Sequence, residues 1–123
     1  MGYTTQFDGK FKLSKKLTAK RIKIINDLAE ERHEQTKNSK FPKYAYYCQW
    51  ITDGEAVYWD EGEKFYAYIE WLQYLIDNFF NPWKISLSGD VIWNGEEPGD
   101  IGMIYIEGDK VKSKAGRMVF SPE

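Results

Sequence analysis

The chain of 123 residues holds one cysteine, Cys48, and one histidine, His33. A single thiol excludes an intrachain disulfide framework and fits a reducing compartment, so the cytoplasm is the expected location. A lone imidazole leaves little for a zinc site or a Ser-His-Asp triad. No CxxC, HExxH, GxxxxGK[ST] or GxGxxG pattern occurs, which removes the common zinc, redox and phosphate-cradling routes. No apolar run approaches the ~20 residues of a membrane-spanning helix. The first ten residues, MGYTTQFDGK, carry no apolar signal-peptide core, and Gln6 stands where a myristoylation pattern wants Ser or Thr. The expectation is a protein without membrane segment, metal or cofactor. A carboxylate-based site is the one catalytic route left open.

Aromatic residues are abundant at 17%, from five Trp, nine Tyr and seven Phe. Hydrophobic residues at 42% and charged residues at 29% lie near the globular average. The length suits a single domain over residues 1–123. No linker, repeat or low-complexity stretch divides it.

Charge is segregated along the chain. Residues 1–43 carry a net +6, residues 44–109 a net −11 and residues 110–123 a net +3. Such blocks either create opposed surface potentials or meet and neutralise one another in the fold.

Periodicity gives the elements. Phe7, Phe11 and Leu13 alternate with polar residues, which predicts a half-buried strand over 3–13 with Gly9 at a bulge or close approach. Thr18 reads as the N-cap of a helix carrying Ile24, Ile25, Leu28 and Ala29 and fading near His33–Gln35. Lys43–Thr52 is aromatic and β-branched and reads as a strand. Asp53-Gly54 is a hairpin turn into a partner strand over Glu55–Asp60. Phe65, Ile69, Leu72, Ile76 and Phe79 repeat at helical spacing over 63–80, with Glu61 and Glu63 at the favourable end of the dipole and Asn81-Pro82 as the stop. Ile85, Leu87, Gly89, Val91 and Trp93 alternate as a strand. A polar turn leads to a strand over 101–107, and Gly108-Asp109 turns into a lysine-rich edge strand over 110–114.

The order β-α-β-β-α-β-β-β, rich in hairpins, implies an α+β domain: two layers, with a mainly antiparallel sheet and two helices.

Two acidic turns are candidate sites: Asp53, Glu55, Asp60, Glu61 and Glu63, expected to crowd one end of the second hairpin, and Glu96, Glu97 and Asp100 after Trp93. If they converge, they form a patch suited to a basic, nucleic-acid-binding groove on another protein. A hard cation or ordinary solvated turns are the alternatives. Trp71, with Tyr66, Tyr74 and Phe80, would form an exposed aromatic strip on the second helix, marking a partner surface or a homodimer contact. Lys15, Lys16, Lys20, Arg21 and Lys23 cluster at the first helix. A solvated face explains them better than direct nucleic-acid contact, given an isoelectric point of about 5.5. Cys48 reads as a packed strand residue.

Three stretches carry a family likeness: YTTQFDGKFKLSKKLT at 3–18, CQWITDGEAVYWDEGEKFYAYIEWLQYLIDNFFNPW at 48–83 and LSGDVIWNGEEPGDIGMIYIEGDKV at 87–111. Together they resemble a group of small bacterial and bacteriophage or prophage proteins that share a CQW strand, a WD turn, an EKFY…EWL…YLI helix and a WxGE…DxG hairpin. The resemblance carries no catalytic residues. It implies an accessory role such as countering a host defence system, in the manner of an anti-CRISPR protein. The expected function is therefore a non-enzymatic inhibitor binding a host defence protein. The second reading is a binder of a nucleotide-like small ligand in an aromatic pocket between sheet and helix.

Overall fold

A computed structural model describes residues 4–31, 47–63 and 65–116. Among the described residues, eight strands and two α-helices form an α+β fold with two antiparallel four-stranded sheets. In chain order they are β1 (Gln6–Gly9), β2 (Phe11–Leu13), α1 (Ala19–Glu30), β3 (Trp50–Thr52), β4 (Ala56–Trp59), α2 (Tyr68–Leu75), β5 (Leu87–Ser88), β6 (Asp90–Asn94), β7 (Ile101–Glu107) and β8 (Lys110–Ala115). The first sheet runs β1-β6-β7-β8 and the second β3-β4-β2-β5.

Two strands of the sequence reading are each divided between the sheets. β1 and β2 are one chain segment bent after Gly9, and β5 and β6 are another bent at Gly89. They pair with each other throughout. The register runs from Gln6 opposite Asn94 to Leu13 opposite Leu87, without gain or loss of a residue on either side. Both bends sit on glycine because the backbones touch there. A Cβ on Gly9 (φ 112°) would lie 2.7 Å from the Asp90 carbonyl oxygen, and one on Gly89 (φ 119°) 2.9 Å from that of Lys10. Only glycine combines positive φ with such an approach. The expected close approach at Gly9 is thus present, and Gly89 is its counterpart.

Side-chain alternation survives the bend, so one hydrophobic cluster fills both sheets. Phe11, Leu13, Val57, Leu87, Val91, Trp93 and Ile104 point into it, joined by Ile25 from α1 and by Trp71, Leu72 and Leu75 from α2. The half-buried Phe7 ring lies at its aromatic centre, edge-on to Trp50, Trp59, Phe65 and Tyr68 at centroid distances of 5.6, 5.3, 5.8 and 4.9 Å. Pairs of this geometry add about 0.5–1.5 kcal/mol each beyond burial.

The Thr18 cap is present: its Oγ1 accepts from the Arg21 amide at 3.3 Å. The second helix starts later than expected, at Tyr68, because Ala67 adopts a left-handed conformation (φ 55°). Phe65 therefore enters the core from outside the helix, and Glu70 rather than Glu61 or Glu63 occupies the first turn. The helix ends in a π-helical turn over Ile76–Phe80, where the Asn81 amide donates to the Ile76 carbonyl at 2.8 Å. The expected strand over Lys43–Thr52 is regular only at Trp50–Thr52. Its first four residues, and the expected helix end at His33–Gln35, lie outside the described residues.

Candidate functional site

The carboxylates singled out in the sequence separate into two environments. Asp53 and Glu55 sit at the β3–β4 turn, whereas Asp60, Glu61 and Glu63 follow the far end of β4. The expectation that all five share one end of the hairpin is corrected: the length of β4 stands between the two groups. Asp53 is a turn former. Its Oδ1 accepts from the Glu55 amide at 2.8 Å and the Ala56 amide at 3.0 Å, and these bonds hold its carboxyl below the usual range. Glu55 pairs with Lys16 at 3.3 Å. Both line a depression of about 520 Å³ shared with Lys10, Lys12, Lys15 and Lys16. At this end the basic and acidic blocks meet.

The other group converges with the β6–β7 turn. Gln6 and Asn94, paired across β1 and β6, line both of two grooves. Asp8 and Glu61 both line one groove, of about 640 Å³, together with the apolar Phe7, Trp59 and Ile92. Glu63 and Glu96 line the other, of about 410 Å³, together with Thr4. No basic residue lines either groove among the described residues. Asp8 belongs to this face although it lies in the basic block of the sequence. Alternation alone shows that it points outward, and only the pairing of β1 with β6 shows where.

The loop carrying Glu61 and Glu63 is held from beneath. Buried Gln49 donates from Nε2 to the Glu63 carbonyl at 2.7 Å, and its Oε1 accepts from Trp59 Nε1 at 3.2 Å. The same indole N–H reaches the Gly62 carbonyl at 3.2 Å. Asp60 Oδ1 accepts from the Gly62 amide at 2.7 Å, and partial burial raises its carboxyl above the ordinary value. Asp60 thus shapes the loop. Glu61, in a left-handed conformation at φ 67°, and Glu63 are exposed on it. In the facing turn Asp100 Oδ1 accepts from Trp93 Nε1 at 3.2 Å, and the Glu97 carbonyl accepts from the Asp100 amide at 3.1 Å. Glu96 Oε1 accepts from the Thr4 amide at 3.0 Å.

The exposed aromatic strip on the second helix is corrected. Trp71 and Phe80 are fully buried, and Tyr74 is half-buried with its ring edge-on to Trp71 at 5.5 Å. Trp71 lies in the hydrophobic cluster together with Leu72 and Leu75, and β8 packs against the same helix. Gln73 fastens this contact: Nε2 donates to the Asp109 carbonyl at 2.9 Å and Oε1 accepts from the Val111 amide at 2.8 Å. Only Tyr66, 45% exposed, remains a surface ring of that set, and it precedes the helix. The rings between sheet and helix pack on one another, occupying the space that an aromatic ligand pocket would use.

The basic cluster around α1 is partly engaged. Arg21 stacks over Trp83 at 4.7 Å, and Lys23 bonds Asp27 at 2.7 Å. Cys48 is buried and its thiol is pushed up to about 12, chiefly by desolvation, which removes it as a nucleophile at neutral pH. Among the described residues no group of three or more His, Cys, Asp and Glu could hold a metal ion, and no helix is long and apolar enough to cross a membrane.

Comparisons with protein-family models, curated proteins and solved structures find no match to this chain.

Proposed function

We propose that this chain is a non-enzymatic phage or prophage accessory protein that binds a nucleic-acid-binding host defence protein through the acidic face around Gln6 and Asn94. The observation that carries the reading is the convergence of three separate elements: Asp8 from β1, Glu61 and Glu63 from the loop after β4, and Glu96 from the β6–β7 turn. The likeness of the three sequence stretches to phage and prophage proteins supplies the setting.

The face suits a basic partner for two reasons. Its carboxylates stand where lysines and arginines that normally hold phosphates would find oxygen acceptors. The exposed edges of Phe7 and Trp59 beside Asp8 and Glu61 add a surface on which a guanidinium can stack. The Gln49 and Trp59 hydrogen bonds fix the loop before a partner arrives, so little ordering cost falls on binding.

The test is affinity capture from nuclease-treated bacterial lysate, comparing the native chain with a Glu61→Lys, Glu63→Lys, Glu96→Lys variant. The expected result is a nucleic-acid-binding protein retained by the native chain, released by salt and absent from the variant. Adding the native chain should displace that protein from DNA or RNA. Equal retention by both forms, or a retained protein whose nucleic-acid binding is unaffected, overturns the reading.

A further inference from the structure

We infer that the outer face of the first sheet is a homodimer interface, in which two copies of this chain pack face to face about a twofold axis. The face is defined by strand register. Asp8 lies opposite Ile92, Ile92 opposite Met103, and Met103 opposite Lys114, so these four side chains form one row across β1, β6, β7 and β8. They point away from the core, because their neighbours Phe7, Val91, Trp93 and Ile104 point into it.

The row reads acid, apolar, apolar, base. A twofold axis parallel to the strands and midway along the row reverses it onto itself. Asp8 of each copy then faces Lys114 of the other, and Ile92 faces Met103. An isologous interface requires this self-complementarity, in which residue i meets j and j meets i.

The middle of the row is the part that gains from being covered. Ile92 is 43% exposed, and with Ile101 and Met103 it borders a shallow depression of about 220 Å³. The charges at the two ends are exposed, and Lys114 Nζ sits 5.2 Å over the Tyr105 ring, held toward the face rather than extended from the edge. A basic or acidic partner of uniform sign would meet repulsion at one end of the row. A second copy meets attraction at both.

Asp8 and Ile92 also border the groove of the function proposed above, so self-association and partner binding compete for this edge. The inference nevertheless stands apart from that reading, since it concerns the pure chain and needs no partner.

Sedimentation equilibrium of the full chain tests it. The native chain is expected to approach twice its 14.5 kDa mass as concentration rises. Ile92→Asp should weaken the dimer at least tenfold. Asp8→Lys and Lys114→Asp should each do the same, with the loss shrinking at high salt, and the double variant carrying both changes should recover the native constant. Far-ultraviolet circular dichroism establishes that each variant is folded. A native chain that stays monomeric up to millimolar concentration overturns the inference. So does a dimer indifferent to Ile92→Asp, or a charge swap that fails to restore it.

Discussion

Asn26 pairs with Thr52 as a neighbouring strand would. Its Nδ2 donates to the Thr52 carbonyl at 3.0 Å, and its Oδ1 accepts from the Thr52 amide at 2.9 Å. β3 is the edge of the second sheet, and this helix-borne amide occupies the hydrogen-bonding groups that an edge leaves open. Asn26→Leu should cost about 1–3 kcal/mol in urea unfolding, because it strands a donor and an acceptor together. Asn26→Asp should lose most of the same amount, since a carboxylate cannot donate to the carbonyl. A cost within ~0.5 kcal/mol for both would show that water replaces the amide without penalty.

Gly9 and Gly89 each place a would-be Cβ against the partner backbone at positive φ. Gly9→Ala and Gly89→Ala should therefore each destabilise by roughly 1–3 kcal/mol or more, against the usual gain of glycine-to-alanine changes at compatible sites. Gly99 has positive φ but open space, so Gly99→Ala should cost less. Thermal unfolding of the three variants side by side gives the ranking.

Cys48 should react with a thiol reagent only on unfolding, because the folded thiol stays protonated up to about pH 12. The folded pKa lies above the unfolded one, so the native state holds more protons between about pH 9 and 12. Stability is unaffected below that window and falls as pH rises through it. Cys48→Ala should lower stability at neutral pH through lost packing, yet flatten the alkaline decline. An equally steep decline in the variant would assign the slope to other groups.

Trp71 and Tyr66 should respond oppositely to truncation. Trp71→Ala removes a fully buried indole and should cost about 3–5 kcal/mol. Tyr66→Ala removes a surface ring and should stay within ~0.5 kcal/mol. Denaturant midpoints measured at constant slope decide it. A mild effect at Trp71 would restore it as a surface residue.

Local signals were legible wherever a residue's role depended on its neighbours in sequence. Thr18 as a cap, the inward stripe of Phe7, Phe11 and Leu13, the outward lysines of 110–114 and the close approach at Gly9 all follow from alternation, capping chemistry and glycine geometry. Trp71 is fully buried in the common cluster through tertiary packing, which no periodicity in its own helix records. The acidic face was half legible for the same reason. Glu61, Glu63 and Glu96 announce themselves as turn carboxylates, but Asp8 joins them only through strand pairing, and Asp53 and Glu55 leave them only because β4 carries the turn away. Gln49, Asn26 and Gln73 carried no signal at all, since a side-chain amide bonded to distant backbone looks in sequence like any polar residue.

The shared ribbon of β1–β2 with β5–β6 restricts how the chain can change length. One residue inserted between Gly9 and Phe11 would invert the facing of everything beyond it, turning Phe11 and Leu13 to solvent while Phe7 kept its place. Relatives of this protein should accordingly show indels in the turns at 53–55 and 95–100, and almost none on the two limbs that meet at the glycines, unless a compensating residue appears on the opposite limb.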